Sequence, residues 1–93
     1  MIKSCGDRDT ERLFLREPVR RYPAELLRTM LRKLVVVDAA EALDDLRSPR
    51  GNRLEKLKRD RDGQHSMRIN DQWRICCRWK DGDAHEVESV DYH

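Results

Sequence analysis

Aromatic side chains are scarce: one Phe, two Trp and two Tyr make up 5% of the 93 residues, whereas 41% are charged. That balance points to a compact module with a heavily solvated exterior. Nowhere does an apolar run approach the ~18 residues of a membrane span. The opening stretch MIKSCGDRDTER is charged and does not read as a signal peptide, so a cytoplasmic location is expected. The three cysteines, Cys5, Cys76 and Cys77, are odd in number and lack CxxC spacing. Neither a disulfide framework nor a zinc site is indicated. Adjacent Cys76 and Cys77 should point to opposite faces of a strand as small hydrophobes. The carboxylates are scattered and the three histidines show no ligand spacing, so no metal or other cofactor is expected. Repeats and low-complexity tracts are also missing.

What is present is a patterned set of apolar residues, enough for one domain spanning residues 1–93 with a single modest core. Net charge is only +2 but is unevenly spread. Between Arg47 and Arg61 seven basic residues (Arg47, Arg50, Arg53, Lys56, Lys58, Arg59, Arg61) face Glu55 and Asp60, a local excess of five. Such a patch suits a polyanion such as RNA or an acidic protein segment, although it would equally serve solubility.

The first half, about residues 7–46, reads as helical. DRDTERLFLRE fits a brief helix ended by Pro18, and Pro23 precedes a second, AELLRTMLRKLVV. There Leu27, Met30, Leu31 and Leu34 form an amphipathic stripe, with Arg28, Arg32 and Lys33 on the other sides. Asp38-Ala-Ala-Glu41 resembles a capping box opening a short third helix through Leu43 and Leu46. The turn Ser48–Asn52 borders the halves.

In the second half, about 52–93, the period changes to two. RLEKL alternates weakly. His65, Met67 and Ile69 share one face, against Ser66, Arg68 and Asn70. Trp73, Ile75, Cys77 and Trp79 likewise oppose Arg74, Cys76 and Arg78. NDQ and KDGD read as hairpin connections, with Asp81-Gly82 favouring a tight turn. In the last strand, HEVESVDYH, Val87 falls out of phase with Val90 and Tyr92, which predicts a bulge or an early end to regular pairing. Helices followed by consecutive antiparallel strands make an α+β domain, the helices covering one sheet face. The opposite face then carries an arginine ladder, Arg68, Arg74 and Arg78.

The combination NRLEKLK, G-x-x-S-x-R-I-N-x-x-W-R-I and a terminal V-D-Y-H, in that order and spacing, resembles the C-terminal half of HigB-type toxins of the RelE/ParE superfamily. The opening MIKS matches as well, and the helical middle matches in pattern. The resemblance implies a compact RelE-like fold: N-terminal helices packed on one face of a small, twisted, mainly antiparallel sheet. It also implies a ribosome-dependent mRNA endonuclease neutralised by a HigA-type helix-turn-helix antitoxin. Its partners would be that antitoxin, the ribosome and mRNA, with operator DNA reached only through the antitoxin complex and no membrane. Carried over by position, Lys58 matches the family lysine, Arg74 the arginine of the W-R-I strand, and Asp91, Tyr92 and His93 the terminal trio. Glu55 stands where some members have a catalytic histidine, and Arg59 where glycine is common.

Metal-free RNA cleavage uses the substrate's 2′-OH as nucleophile. It needs a proton acceptor, cations for the developing phosphorane charge, and an acid for the 5′-oxygen. His93 is the acid–base candidate near neutral pH. Asp91 would orient it or bind base or ribose, and Tyr92 would stack or donate a hydrogen bond. Lys58 and Arg74 would sit at the scissile phosphate, on a polar face where their truncation removes charge but little packing. Arg53, Arg59, Arg61, Arg68 and Arg78 would contact RNA. The alternatives are a ParE-like toxin that binds a topoisomerase, or a weakened toxin acting mainly as co-repressor with its antitoxin.

Overall fold

The computed structural model describes residues 1–47 and 52–91, with Arg59 described by its backbone alone. Helix α1 (Arg8–Phe14) and helix α2 (Ala24–Ala39) are followed by a 3-10 turn, Leu43–Arg47. Strand β1 (Glu55–Lys56) then leads through a second 3-10 turn (Arg59–Arg61) to β2 (Gln64–Arg68), β3 (Trp73–Lys80) and β4 (Asp83–Asp91). The strands form an antiparallel meander in the order β1-β2-β3-β4. Met30, Leu34 and Val37 of α2 share a core with Met67, Ile75, Cys77 and Val87 of the sheet. This is the α+β arrangement expected, with the helices on one face.

Local chemistry explains the element ends. Asp7 caps α1, its carboxylate accepting from the Thr10 backbone N–H (2.7 Å) and the Thr10 hydroxyl (2.9 Å). The helix stops before Pro18. Arg16 enters the left-handed region (φ 61°), its N–H bonds to the Leu13 carbonyl, and the Glu17 N–H bonds to that of Arg12. That pair of bonds is a Schellman ending. In α2, Met30, Leu34 and Val37 are buried while Val35 is exposed, as the 3.6-residue period requires. Asp81 (φ 54°) and Gly82 (φ 80°) both take positive φ, which gives the tight β3–β4 turn its primed geometry. Between β2 and β3, the Asn70 side chain accepts from the N–H groups of Gln72 and Trp73, each at 2.8 Å.

One expectation changes. Asp38 opens no helix: it lies inside α2, and its Oδ1 accepts from the Ile2 N–H at 2.9 Å. The following 3-10 turn is instead braced by Asp45, whose Oδ2 accepts from the N–H groups of Glu41 (3.0 Å) and Ala42 (3.1 Å). The N-terminal segment adds a sheet contact that no alternation in the sequence suggested. It runs parallel to β4, bridging Ile2 to Ala84 and Cys5 to Val87, so β4 is covered on its outer edge.

The bulge anticipated near Val87 is present. Cys76 pairs with Glu88 but Arg78 with His85, leaving Glu86 and Val87 opposite Cys77 alone. Val87 is thereby turned into the core, fully buried, while Glu86 takes a φ of 53°. The turn Ser48–Asn52 falls largely outside the described residues. Its last member, Asn52, is buried, donates to the Leu46 carbonyl (3.2 Å) and accepts from the Lys33 ammonium.

Candidate active site

The ends of β3 and β4 that carry the sequence-predicted residues are fixed from the helical side. Trp73 packs edge-on against Tyr22, ring centroids 5.1 Å apart. The Tyr22 hydroxyl meets Ser89 Oγ (3.1 Å), which also contacts the Thr10 hydroxyl (3.0 Å). The Ser89 N–H donates to that same Thr10 oxygen at 3.0 Å. Helix α1 and the segment before α2 thus hold β4 two residues ahead of Asp91, and β3 one residue ahead of Arg74.

On the opposite face Arg74 is the central group, and it is only 9% exposed. Its Nε donates to Ser66 Oγ (2.8 Å) and its Nη2 to the Arg53 carbonyl (2.6 Å), while Glu55 Oε1 lies 3.9 Å from Nη2. Register explains the grouping: Glu55 pairs with Ser66, Ser66 with Cys76, and Arg74 sits between Arg68 on β2 and Val90 on β4. Arg74 therefore differs from the solvated, weakly packed side chain expected. Its stem and guanidinium are enclosed by the sheet and by the segment at Arg53 that crosses this face.

The other candidates are arranged around it. Lys58 is exposed beyond the end of β1 and makes no ion pair with a described residue. Asp91 pairs in register with Trp73, and its Oδ2 accepts from the Gln72 amide at 3.2 Å. Two members of the arginine ladder are paired with carboxylates, Arg68 with Asp71 and Arg78 with Glu86 (2.6 Å), and nearby Arg61 is paired with Glu88 (2.6 Å). Arg53 enters the site through its backbone carbonyl, with its side chain exposed. The Arg59 side chain, Tyr92 and His93 lie outside the described residues.

Three contributors escaped the sequence reading. Ser66 orients Arg74, Gln72 engages Asp91, and Glu88 ties down Arg61. Ser66 carried a signal, being the serine of the G-x-x-S-x-R-I-N string and in phase with the polar face. Gln72 and Glu88 carried none.

Burial, together with Cys76, pushes the Cys77 thiol up to about 11. Burial also raises Cys76 on the polar face, against the lowering effect of Arg61 and Arg74. Neither thiol is a nucleophile near neutral pH. His65, beside Lys56 and Cys77 in register, is held below its ordinary value by burial first and then by Lys56 and Arg47. Its Nδ1 is buried with no hydrogen-bond partner among the described residues. Cys76 and Cys77 are both buried in the sheet. Among the described residues, no three His, Cys, Asp or Glu side chains cluster as a metal site. No described helix is long and apolar enough to cross a membrane.

Comparison with known proteins agrees with this architecture. The fold superimposes on a chain of the YoeB–YefM complex from Staphylococcus aureus with a TM-score of 0.62, covering 100% of this chain and 98% of that one at 19% identity. Toxin HigB-1 of Vibrio cholerae serotype O1 is 43% identical over 65 residues, 70% of this chain and 68% of that protein. Endoribonuclease HigB of Proteus vulgaris is 30% identical over 93 residues, the full length of both. Residues 3–93 match the family described as RelE-like toxin of type II toxin-antitoxin system HigB. With its helices on one sheet face and an enclosed arginine on the other, the chain belongs to the HigB-like toxins of type II toxin–antitoxin systems.

Proposed function

We propose that this toxin is a ribosome-dependent mRNA endonuclease that cleaves without a metal, using the RNA 2′-OH. The observation that supports it most directly is Arg74: a guanidinium oriented by Ser66 and the Arg53 carbonyl, beside the Glu55 carboxylate, on the sheet face opposite the helices. A cation held in place before substrate arrives stabilises developing charge without reorganisation. The 2′-oxygen attacks the adjacent phosphorus as Glu55 takes its proton. Arg74 and Lys58 balance the phosphorane charge. The bond to the 5′-oxygen then breaks and His93 protonates the leaving oxygen, giving a 2′,3′-cyclic phosphate and a 5′-hydroxyl. Asp91 and Tyr92 bind and orient the nucleotide, and Arg53, Arg59, Arg61, Arg68 and Arg78 contact flanking RNA.

The curated relative from Proteus vulgaris bears the name endoribonuclease, and the structural neighbour comes from a complex with YefM. By the same logic the partner of this chain is an antitoxin, of the HigA type, which binds operator DNA on behalf of the pair. An acidic or helical antitoxin segment would pack near the basic 47–61 region or across the helices, with an affinity that weakens as salt is added.

Primer extension on transcripts after brief induction tests the reading. Cuts within translated codons, abolished by Lys58→Ala and strongly reduced by His93→Gln, are expected. Loss of an acid–base group costs about 10²- to 10⁴-fold in rate. Intact mRNA with stalled replication would overturn the nuclease and favour a topoisomerase-binding toxin.

A further inference from the structure

The polar face holds a second grouping, away from Arg74, that takes no part in the bond-breaking steps proposed above. A cavity of about 310 Å³ is lined by Gly6, Gln64, Arg78, Glu86 and Glu88. Arg78 lies four residues along β3 from Arg74, about 13 Å away at ~3.3 Å per residue. That is too far to touch the scissile phosphate and near enough to meet an adjoining nucleotide on the same face.

Several features show that this cavity is built. The β4 bulge re-aims Glu86, which sits at φ 53°, a conformation that non-glycine residues rarely adopt and that gathers at ligand-binding places. The Ser4 hydroxyl holds that conformation by accepting from the Glu86 N–H at 2.9 Å. Glycines leave the space open. A Cβ on Gly63 would come within 2.7 Å of Arg78 Nη1, and one on Gly6 within 3.2 Å of Glu88 Oε2. Gln64, more than nine-tenths buried, gives its amide oxygen to Arg61 at 3.0 Å. Its amide nitrogen has no protein partner among the described residues.

We propose that this cavity is a base-reading subsite for a nucleotide flanking the cleaved bond. It takes a base that bears an exocyclic amino group (adenine, cytosine or guanine) and discriminates against uracil. The subsite presupposes the RNA cleavage proposed above. Ionised carboxylates only accept hydrogen bonds, so Glu86 and Glu88 repel phosphate yet receive amino-group protons. Uracil offers one ring N–H flanked by two carbonyl oxygens, which carboxylates disfavour. The Gln64 amide nitrogen supplies the complementary donor to a ring nitrogen or carbonyl. The Arg78–Glu86 pair is half-exposed, with side-chain exposures of 44% and 57%. Pairs of that kind hold weakly, so Glu86 can exchange an arginine contact for a base at little cost. Arg61 and Arg78 pair with and orient the two carboxylates.

The test uses the full chain on programmed ribosomes, with messages that vary one base at each position flanking the cut. Wild-type protein should cleave messages carrying A, C or G at one such position faster than U by about tenfold or more, the discrimination of one good base contact. Glu86→Gln and Glu88→Gln should each shrink that ratio severalfold at that position only. Glu86→Gln alters a largely exposed carboxylate and so keeps the test open should Glu88→Gln fail to fold. Indifference of the wild type to uracil at every flanking position overturns the subsite. So do variants that cleave all messages faster with an unchanged base preference, which would make the carboxylates a mere electrostatic brake. A wild type that cuts no message at all overturns the nuclease reading and the subsite with it, an outcome distinct from a nuclease lacking the preference.

Discussion

Replacing Arg74 by alanine should damage the fold as well as the chemistry. The interactions lost include the bond to Ser66 Oγ (2.8 Å), the bond to the Arg53 carbonyl (2.6 Å) and the longer contact with Glu55 (3.9 Å). Hydrogen bonds from a charged donor contribute about 1.5–3 kcal/mol, and stranding a buried acceptor costs about 1–3 kcal/mol. Ser66 is fully buried and cannot turn to water, so it bears most of that penalty. The Arg53 carbonyl belongs to an exposed residue and is readily rehydrated. Glu55, with its side chain 56% exposed, adds at most a few tenths of a kcal/mol. The sum is about 2–4 kcal/mol, against the ~0.5 kcal/mol expected for a solvated surface arginine. For a domain of this size each kcal/mol lowers the melting temperature by about 4–8 °C, so Arg74→Ala should melt roughly 8–32 °C below wild type. Calorimetric or circular-dichroism melts read this directly. Ser66→Ala combined with Arg74→Ala should cost clearly less than the sum of the two single changes, by ~1 kcal/mol or more. Arg74→Lys keeps the charge but cannot span both acceptors, and should fall between wild type and alanine. A melting temperature for Arg74→Ala within ~3 °C of wild type would refute the account and return Arg74 to the solvated face. Activity of Arg74 variants is therefore to be read well below their own melting points.

Lys58→Ala gives the contrast: its exposed ammonium supports no described ion pair, so activity should be lost with a melting temperature unchanged within ~3 °C. His65 should make the fold acid-sensitive. Its folded pKa lies below the ordinary 6.5, so below that pH the unfolded chain takes up a proton that the folded chain refuses. Stability should fall as pH drops through 6.5 toward the folded value, and His65→Leu should flatten that slope in denaturant melts at successive pH values. Gly63→Ala forces a side chain onto a φ of 89° and toward Arg78 Nη1, and should cost about 1 kcal/mol or more. An unchanged melt would show that Gly63 is not needed there.

Legibility from sequence followed the range of the forces involved. The α2 stripe, the Asp81-Gly82 turn and the displaced phase of Val87 are set by neighbours a few residues apart, and each was readable as periodicity or turn chemistry. The parallel N-terminal segment was not. Its bridging residues, Ile2 and Cys5, are three apart, a spacing that breaks strand alternation. Asp38 shows why such errors are coupled. A carboxylate shortly before a run of leucines reads as a cap only while its partner is assumed to be local. Once the Ile2 N–H, 36 residues away, claims it, the cap disappears and a strand edge is anchored in its place. Arg74 was misplaced by the same logic. Its position on the polar face was correctly read from alternation, but alternation reports the face of a sheet and not what crosses over it. The approach of the Arg53 carbonyl, 21 residues earlier, helps turn a surface arginine into an enclosed one. For a cation meant to meet a phosphate, that enclosure is the useful property. A guanidinium already bound at two of its corners has fewer orientations to lose when RNA arrives, so the residues that cost this fold its tolerance to mutation are also those that fix the direction of its charge.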